Sequence, residues 1–175
     1  MIVRETCAAI WQVLSGTYLK APATEEHWKS IAEDFEQEWD LPHAVGAVDG
    51  KHIAIYCPQY GGSQYYSYKG FHNVVLMAIC QARYRFTYVD IGSYGPDNDA
   101  AIFGSTSLFS DFDSDQVPLP QPRDRNGTCI PYYLVDDIFP LKNWLMKPFS
   151  GAGLSEPQSV QLPLVSSQKD DRECF

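Results

Sequence analysis

The chain has 175 residues, of which 45% are hydrophobic and 20% charged, which is enough apolar material for one domain with a buried core. Its formal net charge is -9 at pH 7, so the chain as a whole lacks the positive field of a strong nucleic-acid binder. No run approaches the roughly 18 consecutive apolar residues of a membrane span, and the five scattered cysteines include no Cys-x-x-Cys pair, which argues against a zinc knuckle.

The first forty residues have the periodicity of two helices. Apolar residues recur at helical spacing over 2–15, and Pro22 separates this stretch from the next. Thr24 is a suitable N-cap for a second helix, because acidic residues follow it and an apolar face runs over 28–39. We therefore expect an N-terminal helical segment over residues 1–40.

From residue 44 the pattern changes to short extended runs separated by turn residues. The predicted elements are strands over 44–48, 52–56, 72–82 and 85–91, a helix over 99–109, a loop over 110–128, a strand over 132–135 and a helical turn over 141–147. Residues 150–175 are rich in Ser, Gln, Gly and Pro without periodicity, which predicts a disordered tail.

Three aspartates stand at the boundaries of these elements. Asp49 follows the first predicted strand, Asp99 opens the predicted helix and Asp136 follows the last strand. Clustered carboxylates cannot all stay ionised without a cation. Mg²⁺ and Mn²⁺ prefer oxygen ligands, and two such ions can activate water against a phosphodiester. The order of elements fits this chemistry on an RNase H-like sheet, although turn and cap preferences explain each aspartate equally well.

Several longer motifs add to this interpretation. They are Gly-Ala-Val-Asp-Gly-Lys-His at 46–52, Ser-Gln-Tyr-Tyr-Ser-Tyr-Lys-Gly at 63–70, Tyr-Val-Asp-Ile-Gly-Ser-Tyr-Gly at 88–95, Leu-Val-Asp-Asp-Ile-Phe-Pro-Leu at 134–141 and Leu-Met-Lys-Pro-Phe at 145–149. In this order they resemble the signatures of the PIF/Harbinger family of transposase-derived nucleases, and the resemblance covers residues 1 to about 150.

The resemblance implies an α/β fold, an RNase H-like mixed sheet flanked by helices, with a DDE nuclease site that uses Mg²⁺ or Mn²⁺. It assigns metal binding to Asp49, Asp99 and Asp136, with Asp49 and Asp136 as the catalytic pair. Lys51 and Lys69 are expected to contact phosphate, although a solvated loop lysine is the alternative for Lys69. The implied partner is DNA, bound weakly by this acidic chain, and a protein partner is also open. The implied location is the nucleus, with the cytoplasm as a second compartment, and no membrane is involved.

The sequence departs from the family after residue 149. The family's final catalytic Glu lies on a basic helix, whereas Pro157 and Pro163 interrupt the corresponding stretch here. Glu173 has no apolar helical face before it to hold it in place. We therefore expect a partial DDE nuclease domain over 41–149, incomplete at its C-terminus. Two functions follow: a metal-dependent nuclease acting on phosphodiester bonds, or a catalytically inactive domesticated or truncated remnant acting as an interaction protein.

Overall fold

The computed structural model describes residues 2–67, 69–94, 99–125, 127–136 and 139–148, together with the backbone of 160–161. Two helices open the chain, α1 (Ile2–Tyr18) and α2 (Glu25–Trp39), as predicted. The Thr24 hydroxyl accepts a hydrogen bond from the backbone N–H of His27 at 3.3 Å. This bond satisfies one of the free N–H groups in the first turn of α2, so the predicted cap is confirmed.

A six-stranded sheet forms the centre of the molecule, and its strand order is β3-β2-β1-β6-β7-β8. β1, β2 and β3 are antiparallel neighbours, whereas β6 runs parallel to β1 and β7 runs parallel to β6. A separate two-stranded sheet contains β4 and β5. The strands are β1 (Ala44–Ala54), β2 (Asn73–Cys80), β3 (Phe86–Tyr94), β4 (Arg123–Arg125), β5 (Thr128–Ile130), β6 (Tyr133–Val135), β7 (Leu145–Pro148) and β8 (Val160–Gln161). The predicted RNase H-like mixed α/β sheet is confirmed.

The first strand corrects one prediction. Asp49 was expected at the end of a strand over 44–48, but β1 continues through Asp49 and Gly50 to Ala54. The reason is the neighbouring strand β2, which pairs with β1 residue by residue from Ala47 to Ala54. These ladder hydrogen bonds outweigh the local preference of Asp-Gly for a turn.

Three other boundaries also differ from the predictions. The helix expected over 99–109 is two helices, α3 (Asp99–Gly104) and α4 (Ser107–Asp113), because the Thr106 hydroxyl accepts the Phe109 N–H at 3.1 Å and starts a new helix. The loop expected over 110–128 therefore contains the end of α4, and it also contains β4. The helical turn expected over 141–147 is wrong, since Leu145 and Met146 are buried in β7 and pair with β6.

The core is one continuous cluster that includes α2, the central strands and the C-terminal aromatic residues. Trp28, Ile31 and Phe35 of α2 are buried, and α2 packs against β1. The same core contains an aromatic cluster in which Phe103, fully buried, contacts several rings from the C-terminal half. Its ring neighbours are Phe109, Phe139 and Trp144.

Helix α1 differs from α2 because none of its residues is buried, and apolar side chains such as Val3, Trp11 and Val13 are exposed. Within the described part of the chain, no helix is both long and apolar enough to cross a bilayer. Most of the predicted tail, residues 150–175, lies outside the described residues. Val160–Gln161 are the exception, and they pair with β7 as strand β8.

Candidate carboxylate site

Asp49 and Asp136 lie on neighbouring strands. β6 runs parallel to β1 with Val135 opposite Ala47, so Asp136, the next residue, lies beside the stretch of β1 that holds Asp49. Adjacent strands are about 4.8 Å apart. The sheet order therefore places the two aspartates on neighbouring strands, with Asp136 level with Val48.

The two aspartates have different surroundings. Asp49 is exposed, and its Oδ1 accepts the Gly50 N–H at 2.8 Å. Asp136 is only 7% exposed. Its Oδ1 accepts the Phe139 N–H at 3.1 Å, and its own N–H donates to the Met146 carbonyl at 3.0 Å. Asp136 is thus fixed at the end of β6 by both its backbone and its side chain.

Asp99 begins helix α3, as predicted, and its carboxylate rests directly on Gly50. A Cβ atom placed on Gly50 would lie 2.5 Å from both Cγ and Oδ1 of Asp99, which is closer than non-bonded carbon atoms can approach. Only glycine therefore leaves room for Asp99 at this position of β1. Oδ1 of Asp99 is buried and accepts no hydrogen bond from the described residues, although such atoms are normally paired.

The electrostatics of Asp99 connect it with three other groups. Burial raises the pKa of the Asp99 carboxyl, the nearby His52 lowers it, Asp49 raises it and Lys69 lowers it. Burial disfavours the charged carboxylate, and the neighbouring charge of Asp49 adds to that effect. Three charged or titratable side chains therefore lie close enough to Asp99 to affect its ionisation.

His52 is held in place by Asn73, a residue that the sequence analysis did not identify. The His52 Nδ1 and Asn73 Oδ1 atoms are 3.1 Å apart, and the Asn73 side-chain NH₂ donates to the Phe71 carbonyl. Because the Asn73 amide nitrogen is used in this way, the Asn73 amide oxygen accepts a hydrogen bond from His52 Nδ1–H. The other ring nitrogen of His52, Nε2, lies 3.8 Å from Asp99 Oδ1. The signal in the sequence was a polar residue at the start of an otherwise apolar run.

Both predicted phosphate-contacting lysines lie near the carboxylates. Lys51 is two residues after Asp49 on β1 and is exposed, so strand alternation places both side chains on the same face. Lys69 is exposed and close enough to Asp99 to affect its pKa.

The donor chemistry of the site fits a hard divalent cation, because carboxylate oxygens are the preferred ligands and Asp99 has an oxygen without a hydrogen bond. The arrangement of the carboxylates, however, does not form a complete set of metal ligands among the described residues. The side chain of Asp49 leaves β1 on the face opposite to the Gly50–Asp99 contact, since successive residues alternate. Among the described residues, no three His, Cys, Asp or Glu side chains form a group that could hold a metal ion.

The mixed sheet flanked by helices is the fold expected for the RNase H-like class. The chain belongs to the family described as "DDE superfamily endonuclease", whose sequence profile matches residues 48–170. That match extends past residue 150, into the segment predicted to be a tail. The nuclease family predicted from the motifs is confirmed.

Individual relatives agree with this assignment. The chain is 28% identical to "Putative nuclease HARBI1" of Rattus norvegicus over 75% of its own length, and 27% identical to "Putative nuclease HARBI1" of Homo sapiens over the same share. It is 27% identical to "Protein ALP1-like" of Arabidopsis thaliana over 74% of its length. The matched region spans 34%, 34% and 33% of these relatives. No solved structure matches the chain.

Proposed function

We propose that this chain contains the acidic centre of a divalent-metal-dependent DNA nuclease that acts on phosphodiester bonds. The observation that carries the proposal is the position of Asp49 and Asp136 on the parallel neighbours β1 and β6, inside the segment that matches the endonuclease family. The name of the HARBI1 relatives, which includes the word nuclease, supports the same reaction class.

In this proposal Asp49 and Asp136 are the catalytic carboxylates and hold Mg²⁺ or Mn²⁺, with Asp99 as the third acidic residue. The cation, when bound, polarises a phosphoryl oxygen and lowers the pKa of coordinated water. Asp136 is suited to a fixed position because its backbone and carboxylate are both hydrogen-bonded. Asp49 is exposed and therefore accessible to substrate.

The remaining residues bind and orient in this proposal. Lys51 and Lys69 contact the DNA phosphates, because both are exposed cations beside the carboxylates. The proposed location is the nucleus, with the cytoplasm as a second compartment, since the substrate is DNA. The exposed apolar side chains of α1 support a protein partner as part of the same proposal.

The test is thermal melting of the full chain with and without millimolar Mn²⁺. A ligand at 100 times its Kd stabilises the folded state by about 2.7 kcal/mol, so a clear rise in Tm is expected for the wild type. The rise is expected to disappear in Asp49→Ala/Asp136→Ala. The control is Glu26→Ala/Glu33→Ala, which removes two exposed carboxylates of α2 and changes the net charge equally.

Nicking of supercoiled plasmid in Mn²⁺, compared between the wild type and Asp49→Ala, then separates the two predicted functions. Nicking that depends on Asp49 supports the nuclease. Absence of nicking by the wild type supports the alternative, a catalytically inactive remnant that acts as an interaction protein. The absence of a rise in the wild type would contradict the proposed site.

A further inference from the structure

The connection between β1 and β2 contains a closed loop, residues 55–66, which we call the tyrosine loop. Both of its ends rest on His72: the Ile55 N–H donates to the His72 carbonyl at 2.9 Å, and Tyr66 forms a β-bridge with His72. Inside the loop, the Gly61 N–H donates to the Pro58 carbonyl at 2.9 Å. The tyrosine loop is therefore a defined surface feature whose ends are held together.

Four tyrosines of this loop have two different roles. Tyr65 packs edge-on against Tyr94 with ring centroids 5.4 Å apart, and Tyr66 packs against His72 at 5.1 Å. Tyr56 and Tyr60, in contrast, are 100% and 96% exposed. Aromatic side chains usually bury large areas, so packing within the described chain does not account for these two.

The backbone contributes to this exposure. Tyr60 has φ of +67°, a left-handed conformation that is uncommon for any residue other than glycine, asparagine or aspartate. This conformation has a conformational cost. This conformation lies inside the turn Pro58–Gly61, which the Gly61 N–H to Pro58 carbonyl hydrogen bond closes, and the Tyr60 side chain is left in solvent.

The charge of the surrounding segment is opposite to that of the whole chain. The protein contains 22 acidic residues, yet none lies between residues 50 and 89. That segment contains Lys51 before the tyrosine loop and Lys69 after it. The tyrosine loop is therefore a neutral segment between two cationic residues on an acidic molecule.

We propose that the tyrosine loop binds a single-stranded segment of the DNA substrate, with bases stacked on Tyr56 and Tyr60 and phosphates contacted by Lys51 and Lys69. This inference rests on the proposed function, because that function supplies DNA as the substrate. Exposed aromatic rings combined with a few cations are the features that bind unpaired bases without sequence preference. A duplex hides its base faces, so the two rings select an unpaired strand.

The test is fluorescence anisotropy of a fluorescein-labelled twelve-nucleotide oligo(dT), measured with the full chain at low salt in EDTA. Each single variant, Tyr56→Ala and Tyr60→Ala, is expected to weaken binding by about 5- to 150-fold, the range for loss of one stacked base. The control is Tyr18→Ala, which removes a 73% exposed tyrosine of α1 and is expected to leave binding unchanged.

Salt dependence adds a second measurement. With two lysines contacting phosphate, log Kobs is expected to fall with log[salt] at a slope of about -1.4, since each contact contributes about -0.7 for single strands. A much steeper slope together with insensitivity to Tyr56→Ala would overturn stacking as the source of binding. Equal binding of a duplex of the same length would also overturn the proposal.

Two further outcomes contradict the proposal in other ways. A change of sedimentation in Tyr56→Ala/Tyr60→Ala without a change in oligo(dT) binding would make the loop a contact between two copies of the chain. No binding by the wild type would also overturn it, whether or not Mn²⁺ raises the Tm. Because EDTA is present, binding does not depend on the metal site, so failure of this inference and failure of the proposed nuclease are distinguishable.

Discussion

The contact between Asp99 and Gly50 gives the sharpest prediction of the structure. In Gly50→Ala the new Cβ would lie 2.5 Å from Asp99 Cγ and Oδ1 and 2.9 Å from Oδ2, so the carboxylate of Asp99 must move. Over-packing of this kind costs about 1–3 kcal/mol. Because 1 kcal/mol corresponds to about 2–4 °C for a chain of this size, we expect the Tm to fall by roughly 2–12 °C.

The contact is tested by making the same substitution in Asp99→Ala, which removes all three of the atoms that collide. There, Gly50→Ala is expected to be neutral or to stabilise by up to about 1 kcal/mol, because alanine has less conformational freedom to lose than glycine. Urea unfolding of the wild type, both single variants and the double variant gives the coupling free energy, which is expected to be at least about 1 kcal/mol.

Gly46 supplies the control for this cycle. A Cβ atom on Gly46 would lie 2.5 Å from Ile79 Cγ2 and 2.9 Å from Leu134 Cδ2, and neither contact involves Asp99. Gly46→Ala should therefore be equally destabilising in both backgrounds. If Gly50→Ala behaves in the same way, with a cost that does not depend on Asp99, the carboxylate does not rest on Gly50 and the description of the site is wrong.

Three other substitutions test the site and the core. Burial raises the pKa of Asp99, so the folded protein keeps this proton to higher pH than the unfolded chain does. The free energy of unfolding therefore falls as the pH rises from about 4, near the unfolded pKa of Asp, through the raised pKa of the folded state. Urea unfolding followed from below about pH 4 to neutral pH should show a shallower fall for Asp99→Asn, and parallel curves would contradict this. Burial raises the pKa of Tyr133 to about 12, and its hydroxyl donates to the Pro42 carbonyl at 3.0 Å. The stabilisation from this neutral, buried hydroxyl is complete below about pH 10 and is lost as pH rises towards 12. Absorbance titration should therefore show one tyrosine that ionises at higher pH than the others, and Tyr133→Phe should remove that component. Phe103→Ala should lower the free energy of unfolding by about 3–5 kcal/mol because it empties the fully buried centre of the aromatic cluster, and a loss below about 1 kcal/mol in urea unfolding would contradict that packing.

Local sequence was sufficient wherever an element depends on its own residues. The Thr24 cap, the β2–β3 hairpin and the position of Asp136 after a short apolar strand were all predicted, because capping, alternation and turn preferences act over a few residues. The ordered motifs also identified the nuclease family, which the match over residues 48–170 confirms. The division into segments 1–40, 41–149 and 150–175 and the roles of the site residues stay predictions.

Contacts between distant residues could be decided only by the tertiary structure. The turn expected at Asp49-Gly50 is absent because β2 pairs with β1 along that stretch. Two other contacts also join distant residues. The carboxylate of Asp99 occupies the space left by the missing side chain of Gly50, and Asn73 orients His52 from 21 residues away. The sequence by itself determined which residues carry the acidic and basic groups, since these are properties of each side chain. Their relative positions depend on sheet pairing and close packing, which join residues far apart in the chain and leave no local pattern.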